Sequence, residues 1–187
     1  LARETEEFVR RAVPHNGSGP FIVQLAGRDP EWMRVGAELS EAAGADIIDI
    51  NMGCPAKKVT GGQSGCALMR EPELARRLIA ATVAGTQRPV TVKMRLGWDD
   101  ASLNAPEIAR IAEGEGARMV TVHGRTRMQF YTGTANWARI APVVEAIKLP
   151  VIANGDIESG ESAREAMKQS GAAGVMIGRG AEGRPWR

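Results

Sequence analysis

Residues 48–59 read Ile-Asp-Ile-Asn-Met-Gly-Cys-Pro-Ala-Lys-Lys-Val, a short apolar strand that breaks into a Gly-Cys-Pro turn with two lysines behind it. A strand end holds its last side chain in a fixed direction, and the glycine and proline stop the turn from continuing as strand or helix. Cys54 is therefore predicted at a rim, on a rigid support and beside positive charge. A reactive thiol needs such a position, whereas a thiol in a core does not.

The same plan recurs along the chain as a short β-rich run, a polar loop and a segment with helical spacing. Nearly continuous apolar runs are typical of parallel strands that helices cover. The runs predicted as strands are 21–25, 47–50, 90–93, 119–122, 151–153 and 175–177. The helical segments between and after them are predicted to begin at Asp29-Pro30, at Glu71-Pro72, at Asn104, near Ile140 and at Ser159.

Three of these helices are predicted to end alike, at Gly44, Gly116 and Gly171, each of which precedes an alanine and the next strand. Alternation of strand and helix usually produces a (β/α)8 TIM barrel or a doubly wound sheet. The barrel is favoured because unusual polar residues follow almost every strand. A doubly wound sheet would concentrate its ligand residues at one switch point.

The strand count is too low for a whole barrel. A (β/α)8 barrel needs eight strands and roughly 250 residues, whereas this chain has 187 residues and six predicted strands. We therefore interpret residues 1–187 as a single, incomplete α/β barrel domain with about six of the eight βα units. The opening strands of the barrel are expected to be missing from it.

Composition places the chain among ordinary globular proteins, with 43% hydrophobic and 25% charged residues. No apolar run has spanning length and no secretory leader is visible, so no membrane association is expected. The two cysteines form neither a disulfide framework nor a zinc pattern, which favours a reduced, cytoplasmic protein without a metal site. The formal net charge of +2 does not by itself indicate a nucleic-acid binder.

Polar residues follow each predicted strand, and in a barrel these positions converge on one rim. In chain order they are Gln24, Asn51 with Cys54, Lys93 with Arg95, His123 with Arg125 and Arg127, Asn154-Gly155-Asp156, and Gly178-Arg179-Gly180. The last two groups follow the last two strands, where such barrels commonly hold a phosphate on backbone N–H groups. Lys93 and His123 are expected to point towards a flat ligand that carries this phosphate. Flavin mononucleotide (FMN) fits such a pocket, with Cys54 across from it.

Five motifs at these strand ends are similar to those of one known family. They are Asn51-Met52-Gly53-Cys54-Pro55, Val92-Lys93-Met94-Arg95, Val122-His123-Gly124-Arg125-Thr126, Asn154-Gly155-Asp156 and Ile177-Gly178-Arg179. Each motif is weak alone, but all of them in this order are specific. The chain resembles the tRNA-dihydrouridine synthases, most closely their bacterial B-type branch. The resemblance implies an FMN-bearing TIM barrel followed by a small helical tRNA-binding domain, which residues 1–187 lack.

The resemblance also implies an activity, the reduction of the C5–C6 double bond of a uridine in tRNA. NADPH, or NADH, is then the transient reductant of FMN, and the hydride passes from FMN to C6 of the uracil. Cys54 is implied as the donor of a proton to C5. A free thiol is mostly protonated at neutral pH and can serve as this acid. The protein is expected to act as a monomer.

Further residue roles follow from the same resemblance. Asn51 and Arg95 are implied to position the flavin or the uracil, and His123 is implied to lie close to FMN. The residues implied to contact FMN are Gln24, Lys93, Asn154, Gly155, Asp156, Gly178 and Arg179. The basic residues expected on the rim, facing RNA phosphates, are Lys57, Lys58, Arg125 and Arg127.

Other interpretations remain open at this stage. A flavin oxidoreductase that acts on a free pyrimidine or another small molecule would not need the basic rim. A non-catalytic barrel fragment would bind RNA weakly or not at all. For single residues, Cys54 and His123 can also be structural, and Lys93 can extend its amine to solvent. Cys66 is expected to be a structural thiol.

Overall fold

The computed structural model describes residues 19–56 and 64–183 of the chain. In this part, six strands alternate with α-helices and short 3-10 turns. The strands are β1 (Ile22–Leu25), β2 (Ile47–Met52), β3 (Val90–Arg95), β4 (Met119–His123), β5 (Val151–Asn154) and β6 (Gly174–Met176). The α-helices are α1 (Pro30–Ala42), α2 (Pro72–Ala84), α3 (Ala105–Gly114), α4 (Ala141–Ala146) and α5 (Gly160–Ser170). The 3-10 turns are Gly65–Arg70, Ala138–Ile140 and Arg179–Ala181.

The strands form one parallel sheet in the order β1-β2-β3-β4-β5-β6, so that each strand pairs with its neighbours in sequence. This order is that of a (β/α)8 barrel, whereas a doubly wound sheet reverses its order at a switch point. The predicted α/β class is confirmed, and the sheet is consistent with part of a TIM barrel. Within the described residues β6 does not pair back to β1. The two edge strands expose Ile22 by 51% and Met176 by 42%.

The two faces of the central strands differ in polarity, because alternate side chains of a strand point to opposite sides. On one face Ile48, Ile50 and Val92 are at most 1% exposed and pack in the core shared with the helices. The residues between them, such as Asp49 and Lys93, belong to the other face. The expectation of nearly continuous apolar strands is therefore wrong for one face, because that face carries the polar side chains that reach the cavity.

The helix ends follow local signals. Asp29 caps α1, since its carboxylate accepts hydrogen bonds from two backbone N–H groups of the first turn at 2.9 and 3.2 Å. Gly44, Gly116 and Gly171 have φ angles of 92°, 93° and 69°. Glycine adopts this left-handed conformation without steric penalty, and it turns the chain from each helix into the next strand. The three predicted glycine turns are confirmed.

No helix in residues 19–56 or 64–183 is long and apolar enough to cross a membrane. In the same ranges no group of three His, Cys, Asp or Glu side chains is placed to hold a metal ion.

Candidate active site

One cavity of about 350 Å³ opens at the carboxyl edge of the sheet, a size typical of small-molecule sites. Every strand contributes a residue to its wall. The predicted site residues that line it are Gln24, Asn51, Cys54, Lys93, Arg95, His123, Asn154, Gly155, Asp156, Gly178 and Arg179. The thiol of Cys54 is therefore on the same side of the sheet as Lys93 and His123. The predicted convergence of the strand ends is confirmed.

The turn that carries Cys54 is fixed on both sides of the cysteine. The Asn51 side-chain Oδ1 accepts hydrogen bonds from the backbone N–H groups of Gly53 and Cys54, at 3.1 and 3.0 Å. The Cys54 carbonyl accepts from the N–H of Cys66 at 3.1 Å. Cys54 itself is half-buried at the edge of the cavity. The predicted rim position is confirmed, and it results from an asparagine turn that precedes the proline.

Arg95 ties this turn to the loop after β4. Its Nε donates to the Gly53 carbonyl at 3.0 Å, and its Nη1 donates to the carbonyls of Thr126 and Phe130 at 2.8 and 2.9 Å. The side chain is only 2% exposed. Burial lowers the pKa of this guanidinium below its usual value, but an arginine stays charged at neutral pH. Arg95 thus brings a fixed positive charge to the cavity wall.

Lys93 lies next to Asn51 in the register of β2 and β3 and lines the cavity. Burial is the main reason why the pKa of its ammonium group falls below the usual value, and the charge of Asp49 opposes that fall. Among the described residues the ammonium group has no hydrogen bond or ion pair. A half-buried cation without a protein partner is suited to an anionic or acceptor group of a ligand.

His123 is a second polar side chain of the cavity wall. Its Nδ1 is buried and has no hydrogen-bond partner among the described residues. Burial, followed by the charges of Arg95, Lys93 and Arg125, lowers the pKa of the imidazole to about 3. The ring is therefore neutral at physiological pH. It lies directly against Gly155, where a Cβ would approach the His123 Cε1 within 2.8 Å and where φ is 110°.

The predicted position of Arg125 on an exposed, phosphate-facing rim is wrong. The side chain is 2% exposed, and its guanidinium donates to both carboxylate oxygens of Asp156 at 2.9 and 2.6 Å. The remaining donors bind the carbonyls of Thr132 and Gly133. The Asp156 carboxylate also accepts from the N–H of Ala135 at 2.7 Å. The Arg125–Asp156 ion pair therefore links the loop after β4 to the turn after β5.

The other basic residues predicted on the rim lie apart from the cavity or outside the described residues. Arg127 is half-buried and stacks on one side of the Trp98 indole, with its Cζ 4.9 Å from the ring centroid. Arg70 lies 4.8 Å from the same ring. Lys57 and Lys58 lie outside the described residues. Cys66, by contrast, is fully buried, and burial raises the pKa of its thiol to about 12, as expected for a structural cysteine.

Comparison with known proteins connects this geometry to a family. The profile of the family described as Dihydrouridine synthase (Dus) matches residues 1–187. The chain belongs to this family. A probable tRNA-dihydrouridine synthase of Rhizobium leguminosarum bv. phaseoli is 60% identical over 170 residues, which are 91% of this chain and 54% of the relative.

Two further curated relatives extend the comparison. A probable tRNA-dihydrouridine synthase of Rhodobacter capsulatus is 62% identical over 168 residues, 90% of this chain and 52% of the relative. A tRNA-dihydrouridine synthase B of Xanthomonas axonopodis pv. citri is 50% identical over 167 residues, 89% of this chain and 50% of the relative. The resemblance inferred from five short motifs is confirmed. The chain spans about half the length of the curated relatives it matches.

The wall of this cavity carries positive charge and polar atoms that are open to a ligand. The ammonium of Lys93 and the Nδ1 of His123 have no protein partner among the described residues. Arg179 is 62% exposed, and its nearest carboxylate contact is at 3.8 Å. A Cβ at Gly178 would meet no atom within 4 Å, so this backbone borders open space. Cations and accessible backbone around one cavity fit a flat, anionic cofactor such as FMN.

Sequence reasoning missed two residues of this site. Tyr131, the one tyrosine of the chain, lines the cavity with its ring 5.8 Å from the Arg95 Cζ and 5.0 Å from the Arg179 Cζ. It lies in a loop, where hydrophobic periodicity carries no information. Asp49 lies two positions before Asn51, the residue of β2 that lines the cavity, and is 9% exposed. A carboxylate between two isoleucines of a buried strand was the available signal for it.

Residues 178–183 read Gly-Arg-Gly-Ala-Glu-Gly and match the spacing of a dinucleotide-binding loop. Such a loop opens a long helix, whose N-terminus binds the pyrophosphate. Here the described continuation is the 3-10 turn Arg179–Ala181, and Gly183 has a left-handed φ of 71°. The spacing therefore does not indicate a dinucleotide site in this position.

Proposed function

We propose that this chain forms the FMN-binding part of a tRNA-dihydrouridine synthase, which reduces the C5–C6 bond of a uridine in tRNA at the expense of NADPH or NADH. The main support is the position of Cys54, Lys93 and His123 around one cavity, in a family whose curated relatives carry this name. The cavity wall provides a half-buried thiol, together with an ammonium group and an imidazole nitrogen that have no hydrogen-bond partner among the described residues.

Several residues would hold FMN. Arg179 and the backbone around Gly178 suit its phosphate, because both border open space after the last described strand. Lys93 and the neutral ring of His123 suit the polar edge of the isoalloxazine. Gln24 and Asn154 line the same cavity and offer side-chain amides. Bound FMN supplies the hydride that reduces C6 of the uracil.

Cys54 supplies the proton for C5. A general acid must be held within hydrogen-bond reach of the atom that it protonates. The Asn51 side chain and the N–H of Cys66 fix the backbone of Cys54 on both sides, and Arg95 holds the preceding carbonyl. The sulfur is thus carried by a turn whose position is set before substrate binds. Such preorganisation lowers the entropic cost of proton transfer.

The tRNA partner would reach this cavity through a uridine that has left its stack, because a base inside a helix cannot enter a barrel mouth. Lys57, Lys58 and Arg127 remain proposed phosphate contacts. Arg127 and Arg70 both contact the Trp98 ring outside the cavity. The two arginines provide positive charge there, and the indole provides an aromatic surface.

The proposal is tested in the full-length protein by measuring dihydrouridine in tRNA by mass spectrometry. Cys54→Ala is expected to retain flavin and to lower dihydrouridine formation by at least about 100-fold, the usual loss of a general acid. Cys66→Ala is the matched control, since its thiol is fully buried and does not line the cavity, and alanine keeps the backbone N–H that binds the Cys54 carbonyl. Dihydrouridine formation at the wild-type rate in Cys54→Ala would remove the cysteine from the mechanism.

A second pair of substitutions separates tRNA from a small-molecule substrate. Arg127 is half-buried beside Trp98 rather than in the cavity wall, so its charge is expected to act on RNA phosphates and not on a bound pyrimidine. Lys57→Glu combined with Arg127→Glu should weaken turnover of tRNA and leave the flavin spectrum unchanged. Unchanged turnover would favour a flavin oxidoreductase that acts on a free pyrimidine. A purified full-length protein without any flavin absorbance would favour a non-catalytic role.

A further inference from the structure

Three polar side chains form a row across neighbouring strands, and the first of them, Gln24, lines the cavity. Gln24 of β1 is in register with Asp49 of β2, and Asp49 is in register with Thr91 of β3. Gln24 Nε2 donates to Asp49 Oδ2 at 2.6 Å, and Thr91 Oγ1 donates to Asp49 Oδ1 at 2.6 Å. Asp49 is 9% exposed and is not among the residues that line the cavity. Both of its oxygens therefore accept a hydrogen bond inside the sheet.

This row continues to Cys54 through one more side chain. Asn51 Nδ2 donates to Gln24 Oε1 at 2.8 Å. Asn51 Oδ1 then accepts from the N–H groups of Gly53 and Cys54. An unbroken series of hydrogen bonds thus joins the buried carboxylate of Asp49 to the backbone of the proposed proton donor.

The direction of every bond in this series follows from the carboxylate. Burial raises the pKa of the Asp49 carboxyl, and its hydrogen bonds with Thr91 and Gln24 and the charge of Lys93 oppose that rise. Both Asp49 oxygens accept hydrogen bonds, as in a carboxylate, so Gln24 must turn its NH2 group towards Asp49. The Gln24 oxygen then faces Asn51, which must answer with its own NH2 group. This leaves the Asn51 oxygen for Gly53 and Cys54. If one amide turned over, two donors or two acceptors would face each other in a low-dielectric site, which is costly.

We propose that Asp49 is a positioning residue for Cys54: by accepting from the Gln24 amide it fixes the orientation of the Gln24 and Asn51 amides and thereby holds the turn that carries the thiol. Only the catalytic consequence of this role rests on the proposed uridine reduction. The hydrogen-bond series itself belongs to the protein without substrate.

The fixed direction of these hydrogen bonds predicts that Asn51→Asp disrupts the series at Gln24. An aspartate caps an Asx turn as well as an asparagine does, so the turn alone would tolerate this change. In the series, however, Gln24 would have an acceptor on both sides and only one NH2 group to offer. We expect Asn51→Asp to free the turn and to accelerate hydrogen exchange of the Gly53 and Cys54 amides about 10-fold, as for the loss of one hydrogen bond.

Asp49→Asn is expected to cancel this defect. With an amide at 49 and a carboxylate at 51, Gln24 turns over, accepts from position 49 and donates to position 51. The second oxygen of position 51 still accepts from Gly53 and Cys54, and the Thr91 hydroxyl still finds an acceptor. The double variant should therefore return to within about 3-fold of the wild-type exchange rate. Asp49→Asn alone should have a small effect, because the Thr91 hydroxyl can also accept.

The experiment is hydrogen exchange by mass spectrometry on a peptide that covers Gly53 and Cys54, in the full-length protein with its flavin content recorded. The matched control repeats Asn51→Asp and the double variant with Gln24→Met, which interrupts the series. If the series acts through Gln24, Asp49→Asn will not restore slow amide exchange to Asn51→Asp when Gln24 is replaced by Met. Rescue of equal size without Gln24 would mean direct repulsion between positions 49 and 51, and it would overturn the proposal.

The remaining outcomes are equally decisive. Wild-type exchange in Asn51→Asp, or a double variant as fast as Asn51→Asp, would overturn the proposal. If Asn51→Asp does not fold, the double variant decides alone: it must fold and exchange like the wild type. Because exchange is measured without tRNA, a protein that shows the rescue but forms no dihydrouridine would contradict the proposed function and not the role of Asp49.

Discussion

Arg125 and Asp156 form a two-bond ion pair, with Nη1–Oδ1 and Nη2–Oδ2 distances of 2.9 and 2.6 Å, which joins the loop after β4 to the turn after β5. The arginine is 2% exposed and the aspartate 28%. Asp156 has a left-handed φ of 53°, which costs energy in a residue with a Cβ. The ion pair therefore holds a strained turn at the wall of the proposed flavin site.

Arg125→Met tests the structural role of this pair. Breaking a buried ion pair leaves the partner charge uncompensated, and the loss is commonly about 3–5 kcal/mol when both groups are buried. Because Asp156 keeps partial solvent access, we expect the lower part of this range in urea unfolding. Arg139→Met is the control, since its pair with Asp100 is exposed and should contribute less than about 1 kcal/mol. Equal losses in both variants would contradict this assignment.

Gly155→Ala tests the close approach of backbone and imidazole. A Cβ at this position would lie 2.8 Å from the Ala135 Cβ and 2.8 Å from the His123 Cε1. We expect loss of flavin binding together with a lower melting temperature. Gly133→Ala is the matched control, because Gly133 also has a positive φ of 62° but a Cβ there meets no atom within 4 Å. It should cost only the backbone penalty of about 1–2 kcal/mol and leave flavin binding intact.

Lys93→Met tests the electrostatic role of the Lys93 ammonium group in the cavity wall. Removal of a charge-assisted hydrogen bond commonly costs about 1.5–3 kcal/mol, so we expect FMN affinity to fall about 10- to 100-fold in a fluorescence titration. Lys148→Met, in an exposed position two residues after α4 and outside the cavity wall, should leave affinity unchanged. If Lys93→Met binds FMN like the wild type, the ammonium does not contact the cofactor.

The pH dependence of stability tests the neutral state of His123. Its pKa is lowered to about 3 in the folded protein from an ordinary value of 6.5. Between these values the unfolded chain binds a proton that the folded chain excludes. Stability should therefore fall as pH falls from 6.5 towards 3, by up to about 1.4 kcal/mol per pH unit from this residue. His123→Gln should reduce this slope in urea titrations at pH 4–6; an unchanged slope would contradict a buried, neutral imidazole.

Much of the fold follows from local signals in the sequence. The six strands and the helix starts at Asp29 and Ser159 were predictable, because apolar runs and caps are encoded within a few neighbouring residues. The glycine turns at Gly44 and Gly116 were predictable for the same reason. The convergence of the strand ends followed from the sequential order of a barrel.

The errors concern contacts between distant parts of the chain. Arg125 was predicted on the rim from its charge, but its environment depends on Asp156, which is 31 positions later. The same holds for Asp49, whose partner Gln24 lies 25 positions earlier. Tyr131 reaches the cavity through the path of a loop. Periodicity and motif spacing predict the direction of a side chain within one helix or strand. They do not predict which residue from a distant part of the sequence that side chain contacts.

We propose that Cys54 faces a flavin in this cavity and protonates a uridine of tRNA. A single-turnover measurement tests this role, in which the prereduced flavin of the full-length protein is mixed with unmodified tRNA and its absorbance is followed. We predict rapid flavin reoxidation with dihydrouridine as product in the wild type and in Cys66→Ala, and reoxidation slower by at least about 100-fold in Cys54→Ala. Equal reoxidation rates in the wild type and Cys54→Ala would contradict the account.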